Sequence, residues 1–226
     1  MNILKKGFSA LITLSIPIII SVLSILVLLS PIFINLEYRR PGFPEDSYGF
    51  STAERLKYGN QTRRYLISSD TLEDLEGLVF ENGDPIYIDR ELSHLEDVKI
   101  VLRGVLWVFY GASAIFVFGG SIARSRGWQK AYFEGISWGG KITTGLLIMI
   151  LTLTLVSFQA LFTNFHLIFF EGDSWLFFYS DSLIRLFPVQ FWQDIFLVFG
   201  ILTLAGGVFL GWVLPAMRKK AGQDNE

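Results

Sequence analysis

Two residues in this chain are suited to moving protons near neutral pH: the histidines His94 and His166, the only two in 226 residues. His94 stands in ELSHLEDVK just ahead of one long apolar run, and His166 in TNFHLIFFEGDSW just after another. Two imidazoles brought to one membrane surface by separate helices are candidates for general acid–base chemistry. Ser93 and Glu96 have capping-box spacing, which predicts a helix starting at Ser93 with His94 in its first turn. The amino-terminal end of a helix disfavours imidazolium, so His94 is expected to be neutral and able to accept a proton. Asp97, three residues on, shares that face and can hold the ring's tautomer or offset the helix-end effect. The plainer alternative for His94 is a solvated interfacial side chain beside an acidic patch.

His166 closes a stripe with Gln159 and Thr163 at helical spacing, and Asn164 adjoins it. Such a stripe near a membrane faces a wet site or joins neighbouring helices by hydrogen bonds. The segment that follows carries Trp175, Tyr179 and Trp192 and reads mainly as an interfacial aromatic belt. Arg185 is either paired with Asp181, four residues earlier, or free to hold a lipid or peptide carboxylate. Two histidines with Asp97 and Glu171 make a minor case for zinc, but no HExxH-type spacing supports it, and no metal is expected. The absence of cysteine removes thiolate nucleophiles, disulfides and iron–sulfur ligation.

The elements that must position these groups are membrane helices. Hydrophobic residues make up 51% of the chain and its mean hydropathy is +0.45, well above a soluble domain. Residues 8–34, 100–123, 142–163 and 191–214 are each long and apolar enough to cross a bilayer. The first run is too long for a cleaved signal peptide and lacks a small-residue cleavage site, so a retained anchor is expected. Lys5, Lys6, Arg124, Arg126, Lys130, Lys141, Arg218, Lys219 and Lys220 flank the ends that would lie inside, whereas residues 164–190 carry only Arg185. This bias puts both termini in the cytoplasm and both histidines on the outer face of a multi-pass cell-membrane protein.

The expected fold is an all-α membrane protein: four transmembrane helices with a small extracytoplasmic α+β cap. Residues 1–34 form the cytoplasmic end and first span, residues 35–98 the cap, and residues 99–226 the other spans with an outer aromatic loop at 164–190 and a cytoplasmic tail. Within the cap, Ser51 and Glu54 predict a capped helix with Leu56, Tyr65 and Leu66 on one face. LVFENGDPIYI predicts a hairpin turning at Asn82–Pro85. Gly207 and Gly211 form a GxxxG step, read as internal packing, with a homodimer face as the alternative.

RELSHLEDVK (90–99), FHLIFFEGDSWLF (165–177) and DSLIRLFP (181–188), in this order on a four-span layout, resemble a family of small bacterial integral membrane proteins that includes the lipoprotein intramolecular transacylase. The resemblance implies an acyltransferase. It moves an acyl chain from the diacylglyceryl group on a lipoprotein's N-terminal cysteine to that cysteine's own α-amino group, leaving a lyso-form lipoprotein. It further implies that His94 and His166 are the catalytic pair, with Asp97 as partner, and that no cofactor is needed. Helix-end electrostatics assigns His94 as base and His166 as acid or hydrogen-bond donor, and the two roles can be exchanged. The expected site holds both rings within about 10 Å, as joint acid–base action through one bound group requires. Gln159 and Thr163 form its floor, with Trp175 and Phe177 bordering an apolar cleft open to lipid. The partners are then diacylated lipoprotein N-termini and membrane lipid. The competing class is a non-enzymatic binding or assembly protein of the cell envelope. A transporter is disfavoured, since the spans hold no mid-membrane charge and no inverted repeat.

Overall fold

The apolar runs fold as helices, and they break where the sequence supplies a cap or a breaker. The computed structural model describes the backbone of residues 3–223 and the side chains within it, apart from 153–156 and 221–223. Helix α1, Ile3–Leu28, ends before Ser30, whose Oγ accepts the Phe33 N–H at 3.3 Å and caps α2, Pro31–Arg39. Pro31 fits this first helical position because its missing N–H would have no intrahelical partner there. The first run is therefore two helices, not one span over 8–34.

The third run divides in the same way. Helix α6, Gln129–Val156, stops at Ser157, whose Oγ accepts the Ala160 N–H at 3.1 Å and starts α7, Phe158–Phe169. His166 thus belongs to a short separate helix and not to the end of a span over 142–163. Helix α5 covers Asp89–Arg126, roughly 57 Å at 1.5 Å per residue, far more than a hydrocarbon core of about 30 Å. A turn at Gly127, with φ +66°, joins it to α6. The helices long and apolar enough to cross a membrane are Ile3–Leu28, Asp89–Arg126, Gln129–Thr152 and Val189–Lys220.

The chain divides into two compact units. The first comprises residues 1–25, 105–156 and 198–226. Ile12, Ile16 and Ile20 of α1 pack there with Ala123, Tyr132 and Ile136. The GxxxG step serves internal packing in this unit. Gly207 lies in the last turn of helix α9, Val189–Val208, and Gly211 lies in the π-helical turn Phe209–Val213 before α10, Leu214–Gln223. A methyl group on Gly140 of α6 would meet Gly207 O at 2.7 Å, so the backbones touch and no side chain fits between them. Ser137 Oγ donates to Gly211 O at 2.9 Å, where the widened turn frees a carbonyl.

The second unit comprises residues 26–104 and 157–197. It holds α2, α3 (Thr52–Ile67), α4 (Glu73–Glu76), the start of α5, α7, α8 (Ser182–Leu186) and the start of α9. The predicted capping box of α3 is present: Ser51 Oγ accepts the Glu54 N–H and Glu54 accepts the Ser51 N–H. The unit's core joins Ile34, Tyr38, Phe50, Tyr58, Tyr65, Ile86, Tyr87, Leu95, Leu186 and Phe191, with Leu56 and Leu66 packed against it. The expected α+β character is not found. Among the described residues there is no strand, and the predicted hairpin reduces to one bridge, Val79 to Pro85. Pro85 has no N–H for a ladder, and Asn82 and Asp84 bond to each other within the turn, so the pairing stops at once.

Candidate active site

The first turn of α5 fixes where His94 sits. The helix begins at Asp89, four residues before the expected start. Ser93 is exposed on its surface, and the predicted Ser93–Glu96 box is not what caps it. Glu91 does that work: its Oε2 accepts the Ile88 N–H at 2.9 Å, while its Oε1 accepts the Leu183 N–H of α8 at 2.6 Å. Both bonds are sealed, since Glu91 is 1% exposed. His94 is therefore in the second turn, beyond the reach of the helix-end field expected to keep it neutral.

A second tie holds the segment after α7 against the same turn. Arg90 Nη2 donates to Asp181 Oδ2 at 2.5 Å, and Asp181 also accepts the Phe178 N–H at 2.8 Å. The Arg90 guanidinium lies over the Phe178 ring at 4.7 Å. Asp181 is thus the partner of Arg90 and not of Arg185. Arg185 binds Asp46 at 3.0 Å, donates to Tyr48 O and covers the Phe50 ring at 3.9 Å. Burial raises the Asp46 pKa, but the Arg185 guanidinium and the Phe50 N–H outweigh it, and the carboxyl lies below its ordinary range. This corrects the expectation of a free Arg185: its charge is satisfied inside the fold and is not held open for an external carboxylate.

These ties bring the two imidazoles together. The His94 and His166 rings lie 6.1 Å apart, nearly parallel at 21°, and both side chains are buried. Phe170 and Phe177 close around His94 at 4.8 and 5.3 Å. Phe162 and Trp175 lie against His166 at 4.2 and 4.8 Å. His166 Nδ1 lies 2.7 Å from Phe162 O, one turn back on α7. A carbonyl only accepts, so Nδ1 carries the proton and Nε2 keeps a lone pair. Burial lowers the His166 pKa, only partly opposed by that hydrogen bond, so the ring is neutral at pH 7. Two polar atoms of the cluster, His94 Nδ1 and Trp175 Nε1, are buried without any hydrogen-bond partner.

The other expected site residues lie further out. Asp97 is half-buried, and among the described residues no hydrogen bond or ion pair joins it to either imidazole. Gln159 is exposed and Thr163 half-buried on α7, and Asn164 Nδ2 is turned back to Ala160 O at 2.7 Å. The rest of α7's surface is apolar: Phe165, Leu167, Ile168 and Phe169 are all exposed. A cavity of about 300 Å³ in this unit is lined by Tyr38, Phe43, Asp46 and Arg55, away from the histidines. Among the described residues no three His, Asp or Glu side chains cluster as metal ligands. The residues missed from sequence are Phe162, Phe170, Arg90 and Glu91. Only Glu91 left a local signal, standing three residues after Ile88.

A sequence model of the family described as "Lipoprotein intramolecular transacylase Lit" matches residues 9–192. An uncharacterized protein of Aquifex aeolicus (strain VF5) is 34% identical over 212 residues, covering 91% of this chain and 95% of that protein. The crystal structure of the membrane-integral lipoprotein intramolecular transacylase Lit from Bacillus cereus superposes with a TM-score of 0.82 at 19% identity, over 99% of this chain and 100% of that one. A variant of that enzyme with one histidine replaced by alanine gives 0.72 at 18% identity, covering 97% and 96%. At these identities the solved structures establish the shared fold.

Proposed function

In a chain that belongs to the lipoprotein intramolecular transacylase family, we propose that His94 and His166 move the protons of the reaction. The activity is acyl transfer within a lipoprotein at the membrane. An acyl ester on the glyceryl group passes to the α-amine of the same N-terminal cysteine. The amine nitrogen attacks the ester carbonyl, a C–N bond forms, and the glyceryl C–O bond breaks. One proton leaves nitrogen and one reaches the departing oxygen, so no other reactant is consumed. Both reacting groups belong to one molecule, and holding them together supplies much of the rate.

The observation that carries this reading is the buried imidazole pair, one member of which has its tautomer fixed. His166 Nε2 takes the amine proton and delivers it to the glyceryl oxygen, because the Phe162 carbonyl leaves that lone pair free. This exchanges the roles assigned from sequence. His94, with an unpartnered nitrogen, donates to the departing oxygen and orients it. Asp97 acts through the field at α5 and not by direct contact. Thr163, Gln159 and Asn164 meet the polar part of the substrate beside α7. The exposed apolar side chains of α7 suit it to acyl chains in lipid.

The same charge bias that was legible in the sequence supports cytoplasmic termini and a site on the outer face. Cysteine labelling tests this. Ser69→Cys should react with an impermeant reagent in intact cells and Ser125→Cys should not, and the opposite pattern overturns the sidedness. For the activity, the transfer leaves the lipopeptide mass unchanged but removes its free α-amine. The protein expressed in a host with diacyl lipoproteins should abolish amine labelling and place an acyl chain on the cysteine nitrogen in fragment spectra. An N-terminus still reactive to amine reagents would overturn the assignment.

A further inference from the structure

We infer that Trp175 is a third participant in the reaction, its indole N–H donating to the ester oxygen as that oxygen becomes an oxyanion. The inference rests on the transacylase reading and goes beyond the histidine pair. Trp175 Nε1 is buried and has no hydrogen-bond partner. An indole N–H only donates, so nothing but an acceptor can satisfy it, and buried donors are rarely left without one. The indole lies 4.8 Å from the His166 ring at 32°, and His166 in turn lies 6.1 Å from His94 at 21°. His166 is thus the ring that contacts both others, and it holds the free lone pair. The orphaned donor therefore belongs to the same ring cluster as the base.

The reaction creates one acceptor that the two histidines leave unassigned. When the amine adds to the carbonyl carbon, the carbonyl electron pair moves onto oxygen. The C–O bond to glycerol then breaks as that pair returns. His166 is occupied with the amine proton and His94 with the departing oxygen, so the oxyanion needs its own donor. A neutral ester carbonyl is a weak acceptor and an oxyanion a strong one, so this bond tightens in the transition state and acts on turnover more than on binding. The indole nitrogen is itself shielded from solvent, which keeps the donor from being satisfied beforehand. Aromatic packing alone accounts for an apolar Trp175 surface, but it leaves the N–H without a function.

The test uses the full-length protein in detergent with a diacylglyceryl-cysteine lipopeptide. Trp175→Phe should lower kcat by about 10²-fold, the usual effect of losing an oxyanion donor, with KM changed only a few-fold. Replacing Trp175 by β-(3-benzothienyl)alanine keeps the ring shape while sulfur replaces the N–H, and should give the same loss with an unchanged melting temperature. The acid limb of the pH–rate profile should not move in either variant. Full kcat in the benzothienyl protein overturns the inference. Absence of conversion by the unsubstituted protein would instead refute the transacylase reading itself.

Discussion

The two units of this chain solve packing in opposite ways. In the unit of residues 1–25, 105–156 and 198–226, helices meet through glycine, with backbone against backbone at Gly140, Gly207 and Gly211. In the unit of residues 26–104 and 157–197, helices meet through aromatic rings and ionic ties. All five ion pairs among the described residues belong to this second unit: Arg40 with Glu37 and Asp194, Arg64 with Asp70, Arg90 with Asp181, and Arg185 with Asp46. In lipid, apolar burial does not drive helices together, so close contact between small residues must. The second unit can use charge because its pairs are partly shielded, and two of them, Arg90–Asp181 and Arg185–Asp46, are also hydrogen-bonded to backbone. The histidines lie in the unit whose parts are held by directional bonds, and proton transfer needs that precision.

The contrast can be broken at chosen residues. Arg185→Ala should cost about 3 kcal/mol, since it leaves the Asp46 carboxylate buried without its cation. Hydrogen exchange should then show lost protection in α3 and α8 but not in α6. Loss spread evenly over both units would contradict the division. Gly140→Ala should cost about 2 kcal/mol, because its methyl meets backbone that cannot rotate away. Protection should fall in α6 and the π-helical turn while α3 keeps its own. Glu91→Gln should cost about 1 kcal/mol in thermal unfolding, since an amide accepts on one side only and two backbone N–H groups need acceptors. It should also reduce activity, because α8 and the start of α5 lose their tie beside His94.

The smallest effect is on pH. Burial holds the His166 pKa below the ordinary imidazole value near 6.5. A buried neutral imidazole contributes stability that is fully present above the unfolded value and is lost as pH falls through it toward the folded one. The His166 imidazole of the resting protein should therefore titrate below pH 6.5 when followed by NMR, and titration above that value would contradict a ring held neutral by burial.

Much of this was legible in the sequence because apolar runs and capping pairs act locally. The four long helices and the Ser51–Glu54 box follow from such signals. The breaks at Ser30 and Ser157 were missed because hydropathy runs straight through both, while a single hydroxyl decides where the helix restarts. The hairpin was overestimated because Asn82–Pro85 signals a turn whether or not strands follow. At the site, the histidines stood out by rarity. Their supports did not: Glu91 reaches Leu183 across 92 residues, and Arg185 finds Asp46 rather than its neighbour Asp181. Long-range partners of charges have no periodic signature.

The central claim is that His94 and His166 act as one unit, and a double-variant cycle on the purified protein tests it most directly. With a diacylglyceryl-cysteine lipopeptide, followed by loss of the free α-amine, His94→Ala and His166→Ala should each lower turnover by about 10³-fold or more. The double variant should be no slower than the worse single, because residues that share a step are not additive. Near-wild-type turnover in either single variant, or losses that multiply in the double, would contradict a shared site.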